Sequence, residues 1–537
     1  VCDNSVRDAA VQLIFRLLEQ YQEGMVDDAE FQGARNRALG AIREPFGSPA
    51  TAAPVLARDY AVHGDAESSV KTIGRLKGTT RADAVTAARW LTEDRLTVVE
   101  TIQAAPLALP GGQPKNLILK RQLNNGLRVA LEAMPTAPLV TVRLSALGGL
   151  RGEPQDKEGI SALAAAALFG GTSSTKAAKI RERLQGLGAE WKAFVEEETS
   201  GVELTLPAEG APNAMGLLAD LVSNPLVPDE QLAAIRAAAG SAIHDYPDHA
   251  ARRWAAAPGS REMPKTPVLY YALRGGRPFF IPLDQMRNHY QTIAREDILL
   301  FLRTHFTPPN LVIAIAGNID PDDILLAVEN QFGRMTGGAT TLPVVDTSWF
   351  QATTQSSVIV DPTLRNPQTI VIYGTAPRKH KDRAAIDLLL DLWARRVPEA
   401  WRAKRARAAG SPAPGFAASR FFGTDLGYAF LFSPTPSADP LLFDDVLGSP
   451  LFEWQNRPVD LKLLDDAKQV AIAEFVINSE DTRFAARLLT DDTFYGTDDL
   501  TTYRQRLEAI TADDIRRVAQ SYFGRKAAIV TLSPPPA

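Results

Sequence analysis

Apolar residues recur at three- and four-residue spacing along much of the chain, which predicts amphipathic helices. Between these stretches the spacing falls to two. Leu139-Val140-Thr141-Val142-Arg143-Leu144 and Gly201-Val202-Glu203-Leu204-Thr205-Leu206 are the clearest alternating runs and predict strands. Long helices mixed with such strands give an α+β class.

One arrangement occurs three times, around Thr79-Thr80-Arg81-Ala82-Asp83, Arg295-Glu296-Asp297-Ile298 and Thr511-Ala512-Asp513-Asp514-Ile515. Each copy sets acidic residues in the first turn of a helix with an apolar stripe, the composition of a capped N-terminus. A β-branched run follows: Leu96-Thr97-Val98-Val99, Leu311-Val312-Ile313-Ala314-Ile315 and Ala528-Ile529-Val530-Thr531-Leu532. Matching helical stretches around Asp27–Ala38 and Asp465–Phe475 precede the first and third copies. Three copies predict three similar domains.

Pro- and Gly-rich residues 105–115 and irregular, polar residues 334–354 read as linkers, leaving domains at 1–104, 116–333 and 355–537. Residues 1–104 read as the back part of a domain whose front is missing. Their apolar stripes (Ala29, Phe31, Ala34, Ala38; Val85, Ala88, Trp90, Leu91) call for a sheet, and one short strand cannot supply that face.

Composition agrees with several cores. A length of 537 residues fits three or four domains at about 100–200 residues each. With 45% apolar and 23% charged residues the chain has globular proportions. A net charge of -5 without a long basic block argues against a nucleic-acid surface. The longest apolar runs, such as Leu311–Ala316, fall far short of the ~20 residues of a membrane helix. A single cysteine, Cys2, excludes an internal disulfide framework and a Cys-based zinc ribbon. Val1-Cys2-Asp3 lacks an initiator Met and any leader pattern, so the chain reads as a processed product or part of a longer precursor.

The stretch Asn125-Gly126-Leu127-Arg128-Val129, Ala137-Pro138-Leu139-Val140, Gly148-Gly149-Leu150-Arg151-Gly152-Glu153-Pro154, Gly159-Ile160 and Leu168-Phe169-Gly170-Gly171-Thr172 resembles the opening segment of the pitrilysin/insulinase zinc metallopeptidases, the inverzincins. With the repeats, the resemblance spans nearly the whole chain. It implies repeated α+β domains with mixed sheets covered by helices, forming half of a clamshell round a chamber.

That family carries His-x-x-Glu-His on a helix, two zinc-binding His one turn apart with a Glu that polarises the attacking water. The matching window is Ser161-Ala162-Leu163-Ala164-Ala165-Ala166-Ala167, with Ala162 and Ala166 at the ligand positions and Ala165 at the base position. The further Glu ligand maps to Ala242. Alanine has no atom to offer a metal, so this chain is expected to hold no zinc and to have no catalytic residues. Four changes, where one or two would inactivate, favour natural loss over introduced substitution.

The resemblance also implies an Arg and a Tyr that hold the substrate carbonyl. Arg405 leaves room for two strands before the next helix and puts Pro412 at the Tyr position. The competing placement is Arg420 with Tyr428, which leaves one strand, Ala429–Ser433. For backbone capture of a peptide at a sheet edge, the matching stretch is Gly188-Ala189-Glu190-Trp191-Lys192-Ala193-Phe194, so Lys192, Ala193 and Phe194 are the substrate-binding candidates. His244 and His249 are separated by the helix breaker Pro247 and make a poor metal pair. His380, within Arg378-Lys379-His380-Lys381, reads as part of a solvated charge cluster.

The expected function is thus a non-catalytic, chamber-closing and peptide-binding half of a zinc metallopeptidase. Zinc would be held by a partner chain or an upstream segment, the assembled complex would be the metalloendopeptidase, and bacterial members of this size point to the periplasm. A non-enzymatic structural or binding subunit on the same fold is the alternative.

Overall fold

The computed structural model describes residues 7–43, 49–91, 117–137, 139–154, 156–244, 290–344, 355–360, 368–405, 417–433, 440–524 and 527–533. The chain divides into two units, Val1–Pro114 and Lys115–Ala537.

In the first unit five helices are described: α1 (Arg7–Gln22), α2 (Asp28–Arg43), α3 (Pro49–His63), α4 (Ser68–Gly78) and α5 (Arg81–Ala88). The repeat correctly locates the start of α5. Asp83 accepts from the Thr80 backbone at 2.8 Å, and Thr80 Oγ1 accepts from the Asp83 backbone at 3.3 Å. Among the described residues Phe31 and Leu39 are the buried apolar side chains of this unit, whereas Leu13, Ile14, Tyr60, Trp90 and Leu91 are exposed. The strand expected at Leu96–Val99 lies outside the described residues.

The second unit holds two mixed sheets. The first contains β1 (Leu117–Gln122), β2 (Arg128–Ala133), β3 (Val140–Leu147), β4 (Glu190–Val195), β5 (Thr199–Leu206) and β6 (Leu311–Gly317), in the order β1-β2-β6-β3-β5-β4. Its helices are α6 (Ile160–Ala167), α7 (Ala177–Gly186), α8 (Ala211–Ser223), α9 (Asp229–His244), α10 (Arg295–His305) and α11 (Pro321–Phe332). The second contains β7 (Gln355–Val360), β8 (Gln368–Thr375), β9 (Ala417–Phe422), β10 (Gly427–Ser433) and β11 (Ala528–Ser533), in the order β7-β11-β8-β10-β9. With it go α12 (Arg383–Arg405), α13 (Pro440–Asn456), α14 (Leu461–Ser479), α15 (Thr482–Tyr495), α16 (Asp499–Glu508) and α17 (Ala512–Tyr522).

The two sheets share a plan. β6 runs parallel to β2 and antiparallel to β3, and β11 runs parallel to β7 and antiparallel to β8. The second and third copies of the repeat are thus the helix–strand pairs α10–β6 and α17–β11. Thr511 and Asp514 cap α17 reciprocally, at 3.0 and 3.2 Å. Ala294 has no side-chain acceptor, so α10 retains only the Asp297 half of that exchange, at 2.8 Å from the Ala294 amide.

Strand alternation usually leaves one sheet face to water. Here both faces of the central strands are covered. Val140, Val142, Leu144, Val202 and Leu204 meet Leu163, Leu218, Phe301 and Phe332 on one side. On the other, Ala130, Val312, Ala314 and Ala316 pack against Ala485, Ala486 and Leu489 of α15, a helix from the second half of the unit. The polar residues between the apolar ones, Thr141, Arg143, Ser145, Glu203 and Thr205, are consequently buried. Thr141 Oγ1 lies 2.8 Å from Thr482 Oγ1. The second core surrounds Trp393, whose Nε1 donates to the Leu447 carbonyl at 2.8 Å.

Residues 334–344 are irregular and are pinned to the connection between α10 and β6. Thr307 Oγ1 donates to the Gly338 carbonyl at 2.7 Å, and Asn310 Oδ1 accepts from the Thr340 backbone at 2.8 Å. The cluster expected to be solvated at Arg378–Lys381 is so only in part. The His380 side chain is 40% exposed, but Arg378 is drawn inward by Asp491 and Asp499, each at 3.0 Å.

Candidate functional site: a sheet edge beside a ligand-free helix

Gly159 opens α6 at φ 91°, and an added Cβ there would lie 2.3 Å from Tyr290 Cε1, so glycine is required twice over. The Glu153 carboxylate satisfies the helix start. It accepts from the Gly159 and Ser161 backbones at 3.0 and 3.1 Å and from the Ser161 hydroxyl. α6 packs against β4, α9 and α10.

This helix carries the positions that match the zinc motif. Ala162 and Ala166 are half-buried and Ala165 is fully buried. Ala242 lies in the last turn of α9. A methyl group cannot coordinate zinc, so these positions do not fit the metal that the sequence resemblance implies. Among the described residues no group of three or more His, Cys, Asp or Glu could hold a metal ion. His244 ends α9, and His249 lies outside the described residues.

Beside α6 runs β4, the last strand of its sheet, with a partner on one side only among the described residues. Lys192, Ala193 and Phe194 all lie on it. Lys192 Nζ reaches Glu203 Oε1 across the β4–β5 pair at 2.9 Å. The other Glu203 oxygen accepts from Arg143 Nη1 at 2.8 Å. The Arg143 guanidinium also stacks 3.5 Å from the Phe194 ring centroid and sits 3.0 Å from Glu196.

The β4–β5 turn is clasped by the β9–β10 turn. Glu198, fully buried, accepts from the Thr424 backbone at 3.0 Å and its hydroxyl at 2.8 Å, and pairs with Arg151 at 2.5 Å. Arg151 in turn holds Asp425 with both Nη atoms and donates from Nε to the Pro343 carbonyl at 2.8 Å. Burial alone would lower the Arg151 pKa, but Asp425 and Glu198 outweigh it and raise it. Sequence reading missed this clasp. Its partners lie up to 274 positions apart, and the available signal was the acidic run Glu196-Glu197-Glu198 at a hairpin tip.

Arg405 is the last residue of α12, and two strands, β9 and β10, follow before α13. Arg420 and Tyr428 lie instead on that hairpin, with Arg420 opposite Ala429 and Tyr428 opposite Phe421. Arg420 is committed to the core. It pairs with Asp387 and, at 2.9 Å, with Asp391, both on α12. Tyr428 is fully buried, and burial with Glu197 and Glu198 nearby pushes its phenol well above the usual range.

Two family models match the chain: Insulinase (Peptidase family M16) over residues 128–256, and Peptidase M16 inactive domain over residues 292–409. An uncharacterized zinc protease of Rickettsia felis is 25% identical over 217 residues, which is 40% of this chain and 50% of the relative. Human cytochrome b-c1 complex subunit 1, mitochondrial, is 24% identical over 211 residues, 39% of this chain and 42% of the relative. The chain thus matches about half the length of these curated relatives. A solved protease from Helicobacter pylori superposes with a TM-score of 0.66 at 17% identity, covering 78% of this chain and 100% of its own. A peptidase M16 inactive domain from Pseudomonas fluorescens gives 0.63 at 16%, covering 78% and 98%. No helix among the described residues is long and apolar enough to cross a membrane. Residues 128–256 and 292–409 thus match the insulinase family of peptidases, and the chain shares the fold of solved members of that kind.

Proposed function

We propose that this chain is the non-catalytic, peptide-binding and chamber-closing half of a zinc metallopeptidase, working with a zinc-bearing partner chain or upstream segment. The observation that carries the reading is the open β4 edge beside a helix whose metal positions are alanine. The edge can bind peptide backbone without any zinc chemistry of its own. Catalysis would come from the partner, where a zinc-activated water hydrolyses the peptide bond. In this reading Arg405 contacts the substrate carbonyl, and residues 1–104, 116–333 and 355–537 are related domains joined by linkers at 105–115 and 334–354. A periplasmic setting, which the resemblance implies, completes the proposal.

Purification of the native complex tests it. The expected result is a second, zinc-bearing polypeptide or segment, peptidase activity in the assembly, and none in this chain alone. A complex without zinc and without activity would favour a structural subunit, a reading supported by the relative named as a cytochrome b-c1 complex subunit.

A further inference from the structure

The two faces of β4 offer an added strand different chemistry. Side chains alternate along a strand, so Trp191 and Ala193 share one face and Lys192 and Phe194 the other. Trp191 packs against the core that includes Leu163, Ala164 and Ala167 of α6. Ala193, exposed on that same face, therefore borders a small, apolar surface in which Ala162 and Ala166 are half-buried. The other face carries charge. Phe194 lies beneath Arg143, and the Lys192 side chain is 56% exposed.

Lys192 differs from the other cations here in what it can leave behind. Its partner Glu203 is buried, and stripping a buried carboxylate of its counter-charge is costly. Arg143, itself buried, holds the second oxygen of Glu203 at 2.8 Å, so that carboxylate stays paired when Lys192 turns outward. Arg483 and Arg487, one turn apart on α15, reach Glu190 and Glu196 at the two ends of the strand.

Resting on the reading that the β4 edge takes an extended peptide, we propose that this peptide carries an acidic side chain directly opposite Lys192 and an apolar one at the next position, opposite Ala193. Directly opposed side chains on paired strands approach closely enough for such a charge pair to form. The substrate class is an alternating acidic/apolar strand.

Fluorescein-labelled ten-residue peptides of alternating Glu and Val, Gln and Val, or Lys and Val test this by anisotropy at low ionic strength. The Glu peptide is expected to bind about 5-fold more tightly than the Lys peptide. Lys192→Gln should remove that difference, and high salt should shrink it for the unaltered chain. Equal binding of all three peptides would overturn the acidic preference and leave the edge reading standing. So would a difference that persists in Lys192→Gln. Failure of every peptide to bind the unaltered chain would overturn both.

Discussion

Arg151 and Asp425 form a two-pronged ion pair, Nη1 to Oδ1 at 2.6 Å and Nη2 to Oδ2 at 2.8 Å, between the first half of the second unit and the β9–β10 turn. The same guanidinium holds buried Glu198 and the Pro343 carbonyl, so one side chain joins both hairpins and the segment between the sheets. Arg151→Ala strands Glu198 without its cation and should cost about 3–5 kcal/mol in urea unfolding. Asp425 is half exposed, and Asp425→Asn should cost about 1 kcal/mol or less. Equal effects of the two substitutions would contradict the burial argument.

His305 sits against Gly148 and Gly152, with Nδ1 3.0 Å from the Leu147 carbonyl. Burial pushes its pKa below the ordinary 6.5. The unfolded chain therefore takes up a proton first as pH falls, and stability is lost from about 6.5 down to the depressed folded value. Burial pushes Asp499 up, but Arg383 and Arg378 outweigh it and hold it below 3.8, so its loss comes at lower pH. Melting temperature should drop as pH falls below about 6.5, and His305→Gln should flatten that drop.

Rebuilding the zinc motif should be uneven. Ala162 and Ala166 are half-buried, so Ala162→His and Ala166→His meet open space on part of the helix surface. Ala165 is fully buried, and Ala165→Glu forces a carboxylate into the α6 core, costing several kcal/mol unless a bound metal or a proton compensates. Thermal melts of the three single variants would rank them. Metal analysis of the unaltered chain should find less than stoichiometric zinc.

Arg405 and Arg420 should separate by phenotype. Arg420→Ala strips Asp387 and Asp391 of a buried counter-charge and should unfold more easily by about 3 kcal/mol. Arg405→Ala should leave folding intact and lower turnover of the assembled peptidase by about 10-fold or more. Unchanged kinetics in Arg405→Ala, with a large loss in Tyr428→Phe, would assign the role to the hairpin instead.

Local signals read well where the physics is local. The Thr80, Asp297 and Thr511 caps, and the strands at Leu311 and Ala528, follow from side chains within a few residues of each other. The edge position of Lys192–Phe194 followed from resemblance. What escaped depends on distant partners. Alternation in β3 gives no hint that α15, more than 300 residues further along the chain, covers its second face, since the pattern along a strand is blind to what lies above the sheet. Arg378 stands in a basic tetrapeptide, and only folding brings Asp491 and Asp499 to it.

The central position of β6 and β11 governs the order in which this molecule can be made. β2 and β3 leave the ribosome well before β6 but do not pair with each other, because β6 lies between them. They must wait for about 165 further residues, and β7 and β8 wait similarly for β11. Such late closure means high contact order, slow folding and exposed strand edges in the nascent chain. A holdase that shields β2 and β3 during synthesis would then raise the yield of folded protein more than one acting after release.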